Sequence, residues 1–190
     1  MIQVTLKGGV VKEYEAGITA ADVAKDLGMG LYKAACGCKV NGKVCDLRTP
    51  LSEDCHLAIL TFDDEEGKKI FWHTSSHLLA QAVKQLFPQA KLAIGPAIEN
   101  GFYYDFDVKT PFTTEDLAKI EAQMKKNAKA NPDLVRFELS PEEAKQKMEE
   151  AGEPYKVELI EEHASKGEPI SFYTLGDFTD LCAGPHLTNT

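Results

Sequence analysis

The chain has 190 residues, of which 43% are hydrophobic and 27% charged, and its formal net charge at pH 7 is −9. This is ordinary globular composition, large enough for one or two buried cores, and it argues against disorder. The charge argues against a domain that holds nucleic acid by bulk electrostatics, but the acidity is uneven: residues 1–62 carry 7 Lys/Arg and 7 Asp/Glu, whereas residues 63–190 carry 14 and 23.

The first residues, Met1-Ile-Gln-Val-Thr-Leu-Lys7, read as a strand and lack the basic, apolar and small-residue pattern of a signal peptide. No run of about 18 apolar residues follows, so a cytoplasmic protein with no membrane partner is expected. Residues 2–7 and 10–15 alternate around Gly8-Gly9 and predict a hairpin. Thr19 then stands as a cap before Val23, Ala24 and Leu27, and Gly28 stops that helix. Asn41-Gly42 marks a tight turn, and His56-Leu-Ala-Ile-Leu-Thr61 is a further strand. Strand, strand, helix, short strands and a final strand is the order of a ubiquitin-like β-grasp over residues 1–62.

The five cysteines, at 36, 38, 45, 55 and 182, are odd in number and form no disulfide framework. Cys36-Gly-Cys38 with Cys45, Cys55 and His56 fits no common zinc spacing, and reduced thiols in a small core are expected instead.

Phe62-Asp-Asp-Glu-Glu-Gly-Lys-Lys69 has no apolar periodicity and is read as the domain boundary, with a second domain over 63–190. Its first helix is expected at about 70–87. On it His77 lies about 40° from His73, so both imidazoles share one face. Phe71, Leu78, Leu79, Ala82 and Leu86 fall on the far side and are expected to be the buried stripe. Runs at 92–98 and 102–107 predict a second hairpin around Glu99-Asn-Gly101. A helix over Thr114–Ala130, a strand over Val135–Leu139, a helix opened by Ser140-Pro141 and a strand over Pro169–Thr174 follow. Without regular βαβ alternation, the second domain is α+β.

Near the end, Asp180-Leu-Cys-Ala-Gly-Pro-His186 is turn-rich, and Cys182 and His186 can reach one point. With His73 and His77 they form two distant pairs of groups suited to metal binding or hydrolysis. Taken alone, Lys156 reads as a surface lysine, Asp180 as a turn aspartate and Tyr104 as a core aromatic. The chain has no G-x-x-x-x-G-K-[ST], G-x-G-x-x-G or H-E-x-x-H motif.

With His73-Thr-Ser-Ser-His77, Ile94-Gly-Pro-Ala-Ile-Glu-Asn-Gly-Phe-Tyr-Tyr-Asp105 and Asp180-Leu-Cys-Ala-Gly-Pro-His186 in this order, essentially all of the chain resembles the N-terminal part of bacterial threonyl-tRNA synthetases. The resemblance implies a TGS domain over 1–62 and, over 63–190, an editing domain related to that of alanyl-tRNA synthetases. The chain stops four residues after His186 and reads as a fragment that can lack the editing domain's end. The class II core, with its ATP, Mg2+ and zinc, and the anticodon-binding domain have no counterpart here; the full enzymes' homodimer forms through those domains.

The implied activity is hydrolysis of serine from tRNA(Thr) by water. One methyl gives a binding pocket only about 1–3 kcal/mol of discrimination, so a second, hydrolytic site is needed. The implied roles are His73 as base or water-orienting group, His77 as its partner, Lys156 as a cation for the oxyanion, Asp180 as orienting group or ligand of the substrate amine, and Cys182 and His186 as pocket residues. Tyr104 would contact the terminal adenosine. No metal or cofactor is expected for editing; zinc on His73, His77, Cys182 and His186, as in the alanyl relatives, is the alternative. A non-catalytic TGS-type RNA or regulatory module is the other.

Overall fold

In the computed structural model, which describes residues 1–190, the alternating N-terminal residues form the expected hairpin. Strands β1 (Ile2–Leu6) and β2 (Val11–Tyr14) pair antiparallel, and β3 (Ile18–Thr19) leads into α1 (Ala20–Leu27). Thr19 caps α1 by accepting from the Asp22 N–H at 3.2 Å. A short helix α2 (Met29–Ala34) precedes β4 (Ala35–Val40) and β5 (Lys43–Cys45). Their turn places Asn41 and Gly42 at φ of 50° and 83°, the pair of positive angles that a two-residue hairpin of the I′ type requires. After β6 (Pro50–Leu51), which pairs with β3, strand β7 (Cys55–Thr61) enters the middle of the sheet. The order is β2-β1-β7-β4-β5, with β7 parallel to β1, so this is the β-grasp expected. Ile2, Val4, Ala20, Val23, Cys38, Leu47, Leu51 and Leu57 form its core. Cys38 is fully buried, and burial pushes its thiol up to about 12. The N-terminal cysteines thus serve as core thiols.

By contacts the chain divides into two units, Met1–Trp72 with Gly184–Thr188, and His73–Ala183 with Asn189–Thr190. The charged 62–69 stretch, expected as a connector, is helical from Glu65: helix α3 runs Glu65–Leu86. Just before it the Asp64 carboxylate accepts from the Thr61 N–H at 2.8 Å. Lys39 pairs with Glu66, and Ile70 is buried with Cys36 and Leu60. One apolar residue per turn suffices to dock a helix start in so polar a stretch.

In the second unit, β8 (Lys91–Leu92), β9 (Ala97–Ile98), β10 (Gly101–Phe102) and β11 (Phe106–Asp107) are two tiers of the expected second hairpin, β9 pairing with β10 and β8 with β11. Helix α4 (Thr114–Ala130) starts with a Thr113/Asp116 capping box and ends at Asn131 in the left-handed conformation. Then come β12 (Leu134–Leu139), α5 (Pro141–Glu150), capped by Ser140 and Glu143, and α6 (Pro154–Ser165). Strands β13 (Ile170–Leu175) and β14 (Phe178–Leu181) complete a sheet of order β12-β13-β14. Ile170 and Phe172 face Ala144, Met148 and Ile160 of α5 and α6, while Tyr173 and Leu175 pack with Leu78 of α3. No helix is long and apolar enough to cross a membrane.

Two corrections bear on the site. Only part of the expected stripe on α3 is buried: Ala82 is fully buried and Leu78 and Leu79 pack against buried clusters, whereas Phe71 and Leu86 are 36% and 38% exposed and the polar side adds Ile70, Thr74, Ser76, His77, Ala80 and Gln81 to the buried residues. These cluster around the histidine side of the wheel. The second correction is that Asp180 is a strand residue of β14 rather than part of a turn.

Ile70→Ala should lower unfolding stability by about 2–5 kcal/mol and Leu86→Ala by far less, measured by denaturant titration of the chain. Equal losses would contradict this assignment of the buried face.

Candidate active site

Three elements and one hairpin deliver the functional side chains of the second unit. One turn of α3 presents His73 and His77, with ring centroids 5.3 Å apart at 81°. The first turn of α6 carries Lys156, and β14 and its next residue carry Asp180 and Cys182. Asp180 lies opposite Tyr173, on the sheet face that packs with α3. Cys182 is tied to β13 by its N–H to the Ser171 carbonyl at 2.9 Å and by the Ser171 hydroxyl to its own carbonyl at 2.7 Å.

Its centre is a buried ion pair. Lys156 Nζ is 2.9 Å from Asp180 Oδ1, and the two side chains are 5% and 2% exposed. The Tyr104 hydroxyl donates to Asp180 Oδ2 at 2.8 Å, and His77 Nδ1 lies 4.0 Å from that oxygen. Burial acts to raise the Asp180 pKa, but the Lys156 charge and the hydrogen bonds from Lys156 and Tyr104 outweigh it, leaving the carboxyl below its ordinary value. Burial dominates at His77 and brings it down to about 3, so this imidazole is neutral at neutral pH. His73 Nε2 is 3.3 Å from Cys182 Sγ.

Two supports were invisible from motifs. Glu153, 4% exposed, binds Lys84 Nζ at 2.7 Å and the Leu92 N–H at 2.8 Å while its carbonyl accepts from the Lys156 N–H at 3.1 Å. It fixes the start of α6 and hence the root of Lys156. Ser76 Oγ is 2.7 Å from the Gly95 carbonyl and 2.8 Å from that of His73, so its proton is shared between the hairpin and α3. Gly95 must be glycine, because a Cβ there would overlap the Tyr104 ring. Tyr104 stacks on Phe106 with centroids 4.8 Å apart.

These groups line a cavity of about 500 Å³, with His73, His77, Tyr104, Lys156, Asp180 and Cys182 in its wall. The expected site residues of the second unit are therefore brought together. Lys156 is not the surface lysine its isolated sequence suggested. Tyr104 lines the cavity, but its hydroxyl is committed to Asp180, and Asp180 has both oxygens engaged. His186 is 1% exposed and belongs to the segment Gly184–Thr188 of the first unit, where its N–H donates to Asp46 at 2.7 Å.

One donor atom each from His73, His77 and Cys182 lies within 4.8 Å of the others. Two imidazoles and a thiol are a zinc-type donor set, and tetrahedral zinc with bonds of about 2.0–2.3 Å sets its donors roughly 3.5 Å apart. The pair at 3.3 Å already matches, so these residues fit zinc after a small closure.

Residues 2–61 match the TGS domain family. All 190 residues align at 60% identity with threonine–tRNA ligase of Acetivibrio thermocellus, covering 100% of this chain and 30% of that protein. The same-named protein of Caldanaerobacter subterraneus subsp. tengcongensis is 59% identical over 187 residues, 98% of this chain and 29% of its own length. That of Clostridium tetani is 58% identical over 190 residues, 100% of this chain and 30% of its own length. Over its full length the chain is similar to the N-terminal part of threonyl-tRNA synthetases. It spans about 30% of the length of these curated relatives.

Lys156→Met should cost about 3–5 kcal/mol of stability, because it strands the Asp180 carboxylate in a buried place. Adding Asp180→Asn to that variant should restore part of the loss in thermal unfolding. A double variant no more stable than Lys156→Met would contradict the pairing.

Proposed function

We propose that the region expected as an editing domain over residues 63–190, which contains the second unit, hydrolyses the ester that joins a wrong amino acid to tRNA, with serine on tRNA(Thr) as the substrate. The observation that carries this reading is the Lys156 ammonium, held against Asp180 in the wall of a cavity that also contains His73. The similarity to threonine–tRNA ligases supplies the substrate class.

In the proposed reaction a water attacks the ester carbonyl carbon and gives its proton to His73. Negative charge grows on the carbonyl oxygen, where the Lys156 ammonium stabilises it; one of its three protons bonds Asp180 and the others are available to substrate. Collapse breaks the bond to the ribose oxygen, which takes the proton back from His73 and leaves as a hydroxyl. Free serine and uncharged tRNA result, and the enzyme returns to its starting state. No covalent nucleophile is needed, so Cys182 acts as a wall and a hydrogen-bond partner of His73. His77, neutral beside Asp180, contributes position rather than charge.

A zinc-dependent deacylase is the second reading, favoured by the clustering of the His73, His77 and Cys182 donor atoms within 4.8 Å. These residues would hold the ion, whose chemistry when bound is to acidify a water. Stoichiometric zinc retained through dialysis, with activity lost on chelation, would select that reading over the metal-free one.

The purified chain should deacylate seryl-tRNA(Thr) faster than threonyl-tRNA(Thr), and equal rates would defeat the proposed specificity. His73→Ala should lower the seryl rate by about 10²–10⁴-fold with the fold intact by circular dichroism. An unchanged rate in that variant would remove His73 from the reaction.

A further inference from the structure

We propose that a basic depression on the outer face of the N-terminal β-sheet is a binding site for a phosphate group. It belongs to the first unit and does not depend on the ester-hydrolysis reading.

The depression follows from the register of the sheet. On β1, β7 and β4 the side chains of Val4, Cys55, Leu57 and Cys38 turn to the core, so those of Thr5, His56, Ala58 and Lys39 turn to the other face. Thr5 lies beside His56 and Lys39 beside Ala58, and Lys7, one residue beyond the Leu6–Leu57 pair, stands at the level of Ala58. Ala58, the smallest side chain of the row, therefore has a lysine on the strand to either side, with neighbouring strands about 4.8 Å apart. These residues line a cavity of about 270 Å³. Further along the same face Ile70 of α3 packs with Cys36 and Leu60, and Glu66 of α3 pairs with Lys39, so the start of α3 borders the depression at Lys39.

The groups around it are donors. Lys7 and His56 are exposed, and of Thr5, Lys7, Lys39 and His56 only Lys39 is engaged by a carboxylate, that of Glu66. The backbone of His56 is held on both sides by Asn41, whose side chain accepts from the His56 N–H at 2.8 Å and whose N–H donates to the His56 carbonyl at 2.9 Å. A lysine ammonium presents three donors, and a threonine hydroxyl and a neutral imidazole one each. A tetrahedral oxyanion can accept from three strands at once, and charge-assisted bonds of this kind are the strong ones. The cavity is smaller than the roughly 300–1,000 Å³ that encloses a drug-sized ligand, so it suits a phosphate group rather than the whole molecule that bears it.

Charge elsewhere sharpens the contrast. Residues 1–62 balance 7 Lys/Arg against 7 Asp/Glu, whereas residues 63–190 carry the whole excess of acid, 23 against 14. Two lysines and a histidine around one depression are thus a local attraction for an anion on a chain that repels anions as a whole. A small phosphorylated compound and the backbone of an RNA share this chemistry.

Sodium pyrophosphate is the probe. Titrated into the intact chain at constant ionic strength and followed by NMR, it should shift the amides of Thr5, Lys7, Lys39 and His56 along one saturating curve. Lys7→Met, at an exposed position, should raise Kd about threefold or more. Glu66→Gln should lower Kd, because it frees Lys39 from its carboxylate; a loss of fold would not produce tighter binding. No saturable shift at these residues, or equal Kd in wild type, Lys7→Met and Glu66→Gln, overturns the site. Competition names the source: uncharged tRNA that displaces the pyrophosphate identifies an RNA backbone, and pyrophosphate binding untouched by tRNA identifies a small phosphorylated compound, either result upholding the site.

Discussion

A lysine and an aspartate, each almost wholly removed from water, face one another at 2.9 Å in the second unit, and the arrangement of the cavity follows from keeping them together. Two isolated charges would each cost several kcal/mol to bury; paired and hydrogen-bonded, they can remain ionised. Tyr104 supplies the second hydrogen bond to Asp180, and Glu153 holds the helix start from which Lys156 projects. The hairpin must then approach closely enough for the Tyr104 ring to lie against residue 95, which leaves room only for glycine. A cation fixed in this way is already desolvated, and in the proposed reaction that is the condition for stabilising a developing oxyanion without reorganisation.

A buried polar centre also explains why α3 is built as it is. Its buried residues include Thr74, Ser76, His77 and Gln81 beside the apolar Ile70, Ala80, Ala82 and Val83. Gln81 donates to the Leu175 carbonyl at 3.0 Å and to Asp177 at 2.9 Å, and Asn127 of α4 donates to Gln81 at 3.1 Å. This amide network pins the β13–β14 turn, so the strand bearing Asp180 has a fixed register against the helix bearing the histidines. Satisfied networks of this kind specify one arrangement of a core, because any shift leaves a buried polar group without a partner.

Where the chain uses local signals, the sequence was readable. The Thr19, Thr113 and Ser140 caps, the Asn41-Gly42 turn and the alternating strands of the β-grasp all act over a few residues, and each appears where its chemistry predicts. Legibility failed where polar residues are buried. The hydrophobic wheel of α3 included Ala82, which is buried, but also Phe71 and Leu86, which are partly exposed, because polar residues take up part of the inward face. Helix α6 was not anticipated at all, although Pro154 and the Lys156, Ile160, His163 spacing mark its start and one face. Its inward face mixes two basic residues with one apolar one, so no apolar period emerges. Residue patterns named Lys156 and Asp180 only through family likeness; nothing in their spacing, 24 residues apart, announces that they meet. Departures from hydropathy rules of this kind concentrate where function constrains the core.

In the proposed reaction the Lys156–Asp180 pair serves the reacting ester. The most direct measurement is a crystal structure of the chain with a non-hydrolysable amide analogue of seryl-adenosine. The account predicts the serine end beside His73, the carbonyl oxygen within hydrogen-bond distance of Lys156 Nζ, and Lys156 still paired with Asp180. An analogue bound outside this cavity, or one whose carbonyl faces away from Lys156, would contradict it.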